Sequence, residues 1–266
     1  MLLLCIGDIV GRPGRKMVSE YVPRLKRAGV DFVVANGENA AGGSGITAEV
    51  LEEMLSSGVD VVTTGDHVFR NKAVFEVISS DKRLLRPANF SSRCPGTGRG
   101  MYEAKGLKIA VINLIGRVFM APSECPFAAA DDILEELSDM ADAVIVDFHA
   151  EATSEKIAMG RYLDGRTAVV FGTHTHVQTA DETILSGGTA YITDIGMTGP
   201  FDSVIGREVE PVLETFLTGM PAKFDVSKKD VRLSGILVRL DLHGRPTAIS
   251  RLQIKEGTPM EEITLV

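Results

Sequence analysis

Eight side chains able to bind metal or move a proton stand at the ends of five short apolar runs. Leu2-Leu-Leu-Cys-Ile leads into Gly7-Asp8, and Phe32-Val-Val-Ala into Asn36-Gly-Glu38-Asn39. Val59-Asp-Val-Val-Thr-Thr leads into Gly65-Asp66-His67, and Ala143-Val-Ile-Val-Asp-Phe into His149. Ala168-Val-Val-Phe leads into Gly172-Thr-His174-Thr-His176. Runs of this kind read as strands of an α/β sheet, whose carboxyl ends open on one crevice. Carboxylate, amide and imidazole converging there suit a pair of metal ions, which about 3.5–4 Å apart clamp a phosphate for in-line displacement. A strictly extended strand would send His174 and His176 to the same face; at a strand end they can diverge toward two adjacent ions. With no thiolate among the candidates, iron, manganese and zinc are all acceptable occupants.

The elements that must position these groups follow from alternating short apolar runs and longer amphipathic stretches, the pattern of βαβ units around a largely parallel sheet. Strands are predicted over 2–7, 31–35, 59–64, 107–114, 143–148 and 167–171. Helices are predicted from Pro13 to Ala28, from the Thr47 cap to Ser57, from the Asn71 cap to Ser80, over 128–140, and from Ser154 to Leu163. The stretch 86–106, with Pro87, Pro95 and several glycines, reads as loop with a short hairpin. The connection 115–127, carrying Arg117, Phe119 and Met120, is expected to be mobile, with Phe119 and Met120 free to meet substrate or a neighbouring subunit. After residue 180 the pattern turns strand-rich, over 181–185, 189–193, 231–241 and 247–255. No composition break marks a linker, so residues 1–266 are taken as one domain.

Composition sets the bounds. The 266 residues are 44% hydrophobic and 24% charged, values of a globular protein with a sizeable core. A net charge of −8 disfavours a general nucleic-acid or anionic-membrane binder but permits a small anionic substrate wherever bound metal reverses the local sign. Cys5, Cys94 and Cys125 form no CxxC pair, so neither a disulfide framework nor a thiolate zinc site is predicted. The opening apolar run is too short for a signal-peptide core and no run reaches membrane-spanning length, which makes the cytoplasm the expected location.

Gly7-Asp8, Asn36-Gly-Glu38-Asn39, Gly65-Asp66-His67, Asp147-Phe-His149 and Gly172-Thr-His174-Thr-His176, in that order, resemble the calcineurin-like metallophosphoesterases. Gly7-Asp-Ile-Val-Gly-Arg-Pro-Gly, Glu38-Asn-Ala-Ala-Gly-Gly, Asp147-Phe-His-Ala-Glu-Ala-Thr-Ser-Glu-Lys and Gly172-Thr-His-Thr-His-Val-Gln-Thr-Ala-Asp look like the bacterial YmdB-type branch. The likeness runs from Gly7 to Gly206. It implies a layered α/β/β/α sandwich with mixed sheets inside and helices outside. It implies one metal on Asp8, Glu38, Asn39 and His176, with Glu38 bridging to a second on Asp66, His149 and His174. His67 would then donate a proton to the leaving oxygen or bind the phosphate. The implied activity is hydrolysis of phosphodiesters such as 2′,3′-cyclic nucleotides by metal-activated water, with RNA ends as further substrates and a homo-oligomer left open.

Two positions depart from the pattern. Val10 stands where the wider superfamily has a histidine, a loss that Asn39 would offset. Asp66 stands where asparagine is usual. Two divalent ions carry four positive charges, and Asp8, Glu38 and a bridging hydroxide offset three, leaving about one to attract phosphate. An ionised Asp66 cancels that surplus, so it is expected to tighten the second metal while weakening its Lewis acidity. Two rivals remain: a metal-bound signalling protein with damped turnover, and an amidohydrolase, whose HxH pair normally lies on the first strand rather than near residue 175. His243, in the Asp241-Leu-His-Gly-Arg turn, is expected at the surface. Gly42-Gly-Ser-Gly45 reads as a flexible connector more readily than as a phosphate cradle. Glu151 could orient a ligand histidine or serve a helix start, and Asp194 could line the crevice or, more readily, serve a turn or cap.

Overall fold

The structure, a computed structural model, describes residues 1–265. Along the chain it runs β1 (Leu2–Ile6), β2 (Asp8–Ile9), α1 (Gly11–Arg27), β3 (Phe32–Asn36), α2 (Ala48–Ser56), β4 (Val61–Thr63) and β5 (Leu84–Leu85). The hairpin β6 (Arg99–Ala104) and β7 (Leu107–Ile115) follows, then α3 (Pro126–Glu136), β8 (Ala143–His149), α4 (Thr153–Tyr162) and β9 (Val169–Thr173). The last third holds β10 (Thr183–Ile184), β11 (Ala190–Ile192), β12 (Met197–Pro200), α5 (Val209–Thr218), β13 (Val231–Leu240) and β14 (Pro246–Lys255).

These strands make two mixed sheets. The first has the order β2-β12-β13-β1-β3-β4-β5, with β14 also paired to β13; the second has the order β10-β11-β9-β8-β7-β6. Parallel pairing joins β1, β3, β4 and β5 in one sheet and β7, β8, β9 and β11 in the other. The alternation of side chains along each strand then builds three cores. Leu2, Leu4 and Ile6 of β1 pack under α1 and α2, while Leu3 and Cys5 face the other sheet. Ile109 and Val111 of β7 meet them, and Ala110, Ile112 and Leu114 turn outward to α3 and α4. Strands buried on both faces must be apolar at successive positions, which is why these runs are continuous rather than alternating. The layers are helix, sheet, sheet, helix, with Cys5 packing as a small hydrophobe between the sheets.

The carboxyl ends of β1, β3 and β4 and those of β8 and β9 come out at a common edge, and every residue of the predicted constellation sits there. Two local expectations fail. The predicted helix over 71–80 is one 3-10 turn, Lys72–Glu76, capped by the Asn71 side chain accepting from the Ala73 amide. Val74, Val77 and Ile78 are β-branched and only Val74 and Ile78 are buried, too little to extend a helix. The strand-rich tail contains α5, ended by Gly219 in the left-handed region at φ 73°. Val209, Val212, Leu213, Phe216 and Leu217 keep helical i, i+3, i+4 spacing, a signal the sequence offered, although Leu213, Phe216 and Leu217 are exposed and Val212 alone is inside. The 115–127 connection is hydrogen-bonded at both ends. Asn89 bonds Ile115 and Glu124, and buried Glu155 accepts from the amides of Arg117 and Val118. Among the described residues no helix is long and apolar enough to cross a membrane.

Candidate metal centre

The first sheet contributes Asp8 just beyond β1, Glu38 and Asn39 beyond β3, and Asp66 and His67 beyond β4. The second contributes His149, the last residue of β8, and His174 and His176 beyond β9. Ligand atoms of Glu38, Asp66, His149 and His174 all lie within 4.8 Å of one another. His149 Nε2 is 3.3 Å from both Glu38 Oε1 and Asp66 Oδ1, and 3.0 Å from His174 Nδ1. Beside this group, Asp8 Oδ1 lies 3.8 Å from His176 Nε2 and 4.0 Å from His149 Nδ1. Asn39 Nδ2 is 3.1 Å from Glu38 Oε1 and 3.3 Å from His176 Nε2. Glu38 touches both groups. All seven predicted ligands therefore meet, although Asn39 turns its amide nitrogen, not its oxygen, toward them. His67 joins them through Nδ1, which donates to Asn39 Oδ1 at 2.7 Å, while its Nε2 lies 3.4 Å from Asp66 Oδ2. His243 stays on the exposed β13–β14 turn, as expected.

Each imidazole is fixed from behind. His176 Nδ1 donates to the Ile205 carbonyl at 2.9 Å, which leaves the Nε2 lone pair facing Asp8 and Asn39. His149 Nδ1 donates to Thr173 Oγ1 at 2.9 Å, and that hydroxyl donates to Asp147 Oδ1 at 2.7 Å. Asp147 also accepts from Thr63 Oγ1 and from Asn36 Nδ2, so one buried carboxylate ties both sheets together beneath the site. His174 Nε2 is 3.2 Å from Glu151 Oε2, the orienting role suggested for that residue.

The divergence of His174 and His176 has a local cause. Both adopt positive φ, 100° and 66°, costly for a side chain bearing a Cβ. Thr175 between them is held by Asp194 Oδ2 through its amide at 3.2 Å and its hydroxyl at 2.7 Å. Asp194 is itself paired with buried Lys156 at 2.6 Å, so its role goes beyond a turn or cap. Gly65 is equally specified. A Cβ there would stand 2.2 Å from His149 Nε2 and 2.4 Å from Glu38 Oε2.

Three carboxylates in so small a volume need a cation. Burial pushes Asp8 up to about 6, with Glu38 and Asp194 adding to the rise and His176 and His149 opposing it. Burial would also raise Glu38, but the adjacent His149 and His67 outweigh it and hold the carboxyl at about 2. Burial likewise opposes ionisation of Asp66, which the His149 contact nevertheless holds well below the usual range. His149 is driven well above an ordinary imidazole, against its burial, by Glu38, Asp66 and Asp8. Burial and that neighbouring charge pull His174 down to about 4. One protonated imidazole thus occupies the electrostatic place a metal cation would take. Asp8 Oδ1 is buried without a hydrogen-bond partner, as expected of an atom whose partner is an ion. The donor set, its packing and this orphaned oxygen fit a metal centre.

The site opens into a cavity of about 350 Å³ lined by Glu38, Asn39, His67, Glu151, His174 and His176 together with Gly43, Ile205 and Arg207. Arg207, Ile205 and the Asp147–Thr173 support were not singled out from the sequence. Asp147 lies two residues before His149 and so shares its strand face, a signal that was available. Arg207 and Ile205 carry no comparable mark. Phe119, 86% exposed, does not line this cavity.

A family described as YmdB-like protein matches residues 4–252. A 2′,3′-cyclic-nucleotide 2′-phosphodiesterase of Bacillus subtilis is 48% identical over 242 residues, covering 91% of this chain and 92% of that protein. A putative phosphatase/phosphodiesterase of Mycoplasma pneumoniae is 37% identical, covering 90% and 87%. Among solved structures, a hypothetical protein from Thermus thermophilus superposes with a TM-score of 0.92 at 41% identity, covering 96% of this chain and all of that one. A phosphatase from Mycoplasma pneumoniae gives 0.90 at 34% identity, covering 96% and 93%. A putative 5′-nucleotidase from Staphylococcus aureus, at 13% identity and a TM-score of 0.62, shares the fold. With matching strand-end motifs, one architecture and near-complete coverage, the chain belongs to the YmdB-like protein family.

Proposed function

We propose that this protein is a metal-dependent phosphodiesterase acting on small diesters, 2′,3′-cyclic nucleotides foremost, and on the same cyclic group at RNA ends. The observation carrying this reading is the meeting of Glu38, Asp66, His149 and His174, from both sheets, within 4.8 Å of one another, beside the buried, unpartnered Asp8 Oδ1. Asp8, Asn39 and His176 would hold one ion and Asp66, His149 and His174 another, with Glu38 shared. Iron or manganese suits this oxygen and imidazole set, as does zinc. When bound, such ions supply Lewis acidity toward water and the phosphoryl oxygens. Coordination by Asn39 requires its amide to turn over, presenting Oδ1 to the cluster and Nδ2 to His67 Nδ1. His67 would then accept at Nδ1 and carry its proton on Nε2, the state required of a donor to a leaving oxygen. The relatives' names support the substrate class. Phosphodiester chemistry is favoured over amide hydrolysis because Asp8 and Glu38 open the site on the first sheet and the HxH pair closes it from the second.

The test is hydrolysis of bis-(p-nitrophenyl) phosphate and 2′,3′-cyclic AMP by the full chain after chelation and after manganese is restored. Turnover that vanishes with chelation and returns with manganese is expected. Metal-loaded protein that cleaves neither diester contradicts the reading and leaves the signalling alternative.

A further inference from the structure

Part of the cavity wall is an arginine seated on a glycine loop. Arg207 is half-buried and lines the same cavity as Glu38, Asn39, His67, His174 and His176. One terminal nitrogen donates to the Gly43 carbonyl, and the other donates to the Phe224 carbonyl at 3.2 Å. Neutral carbonyls leave its charge unpaired, and among the described residues no carboxylate lies within ion-pair distance of it; Asp225 acts on it only from farther away. A guanidinium has five N–H donors, so donors remain for an incoming anion. The seat is specific to glycine. Gly43 has φ +88°, and a Cβ there would stand 2.6 Å from an Arg207 terminal nitrogen and 2.7 Å from Val226. Within the Gly42-Gly-Ser-Gly45 loop the Gly43 carbonyl therefore holds a cation. Arg207 is also tied to the ligands, because Ile205, two residues before it, supplies the carbonyl that fixes His176.

We infer that Arg207 is an anion-binding residue that engages the phosphoryl oxygens of substrate and product, supplying the positive charge that Asp66 removes. This rests on the phosphodiesterase reading above. Guanidinium suits the role because it stays charged and matches phosphoryl geometry with paired donors. Its contribution grows with the charge on the ligand. A dianion, such as inorganic phosphate or a phosphomonoester product, depends on it more than a monoanionic diester does.

The experiment compares manganese-loaded parent, Arg207→Gln and Arg207→Lys for bis-(p-nitrophenyl) phosphate kinetics and for competitive inhibition by inorganic phosphate. Metal content and Tm are measured on each sample. In Arg207→Gln the phosphate inhibition constant is expected to rise roughly 10- to 100-fold. KM for the diester rises less, kcat changes little, and Arg207→Lys recovers part of the phosphate affinity. Unchanged phosphate inhibition in a folded, metal-loaded Arg207→Gln overturns the inference. So does an equal loss in Gln and Lys accompanied by a lowered Tm and kcat, which marks a loop tie only. A parent that cleaves no diester fails the functional reading instead, while its phosphate binding, read by calorimetry, still decides the role of Arg207.

Discussion

Asp66 and His67 are adjacent residues for which the proposed function implies opposite roles. Asp66 adds negative charge to a cluster that already contains Asp8 and Glu38, lying 3.3 Å from His149 and 3.6 Å from His174. Replacing Asp66 by Asn should therefore speed diester turnover at matched metal loading while the second ion is lost more readily on dialysis; a clearly slower variant would reject the charge argument. His67 reaches the cluster through Asn39, Asp66 and Glu38 contacts and faces the cavity. His67→Gln should keep its metal but lose about 10²–10⁴-fold in kcat on a cyclic nucleotide, whose ribose oxygen needs a proton as it leaves. The loss should be much smaller on bis-(p-nitrophenyl) phosphate, whose nitrophenolate leaves unaided. Equal losses on both substrates would remove His67 from the proton-donor role.

At the scale of elements, the β9 end is held in shape by a buried ion pair rather than by backbone preference. Lys156 of α4 and Asp194 beyond β11 are both almost fully buried, and Asp194 keeps Thr175 between the two diverging histidines. Removing one partner of a buried pair costs about 3–5 kcal/mol. Lys156→Met should thus lower the thermal midpoint by roughly 10 °C and weaken metal retention together, measured by calorimetry and metal analysis. A stable variant with full metal would show the pair to be incidental. The same elements show what the chain discloses of itself. Strand ends were legible because doubly buried strands are continuous apolar runs, and a polar residue ending such a run stands out. Of the supports, Asp147 was marked by its place two residues before His149, but its partner was not, since Asn36 and Asp147 meet across 111 residues and no local pattern reports that pairing. α5 was legible too, in the helical spacing of Val209, Val212, Leu213, Phe216 and Leu217; what that spacing did not report is that Leu213, Phe216 and Leu217 stay exposed. Which end of the Asn39 amide faces the ligands depends on contacts, not on its place in the chain.

For the molecule as a whole, two sheets are pressed together by one apolar core and share a charged edge, so metal and stability are linked. In metal-free protein, His149 is held protonated by the surrounding carboxylates. A base whose folded-state pKa is raised contributes stability fully present below its unfolded value, about 6.5, and lost as pH rises through the folded value. Asp8 at about 6 and His174 at about 4 are mostly deprotonated by pH 7, so the change above that point belongs to His149. The urea midpoint of metal-free protein should fall as pH rises from about 7, and that of metal-loaded protein should not, because the cation has replaced the proton. A flat or rising midpoint in the metal-free protein would contradict this coupling. The central claim, that Glu38 joins two ligand groups around two ions, is tested most directly by metal analysis of dialysed protein with diester assays on the same samples. The account predicts two ions per parent chain and a Glu38→Gln variant that keeps at most one and loses turnover. A parent that cleaves diesters with a single ion, or a Glu38→Gln variant that retains both, would contradict it.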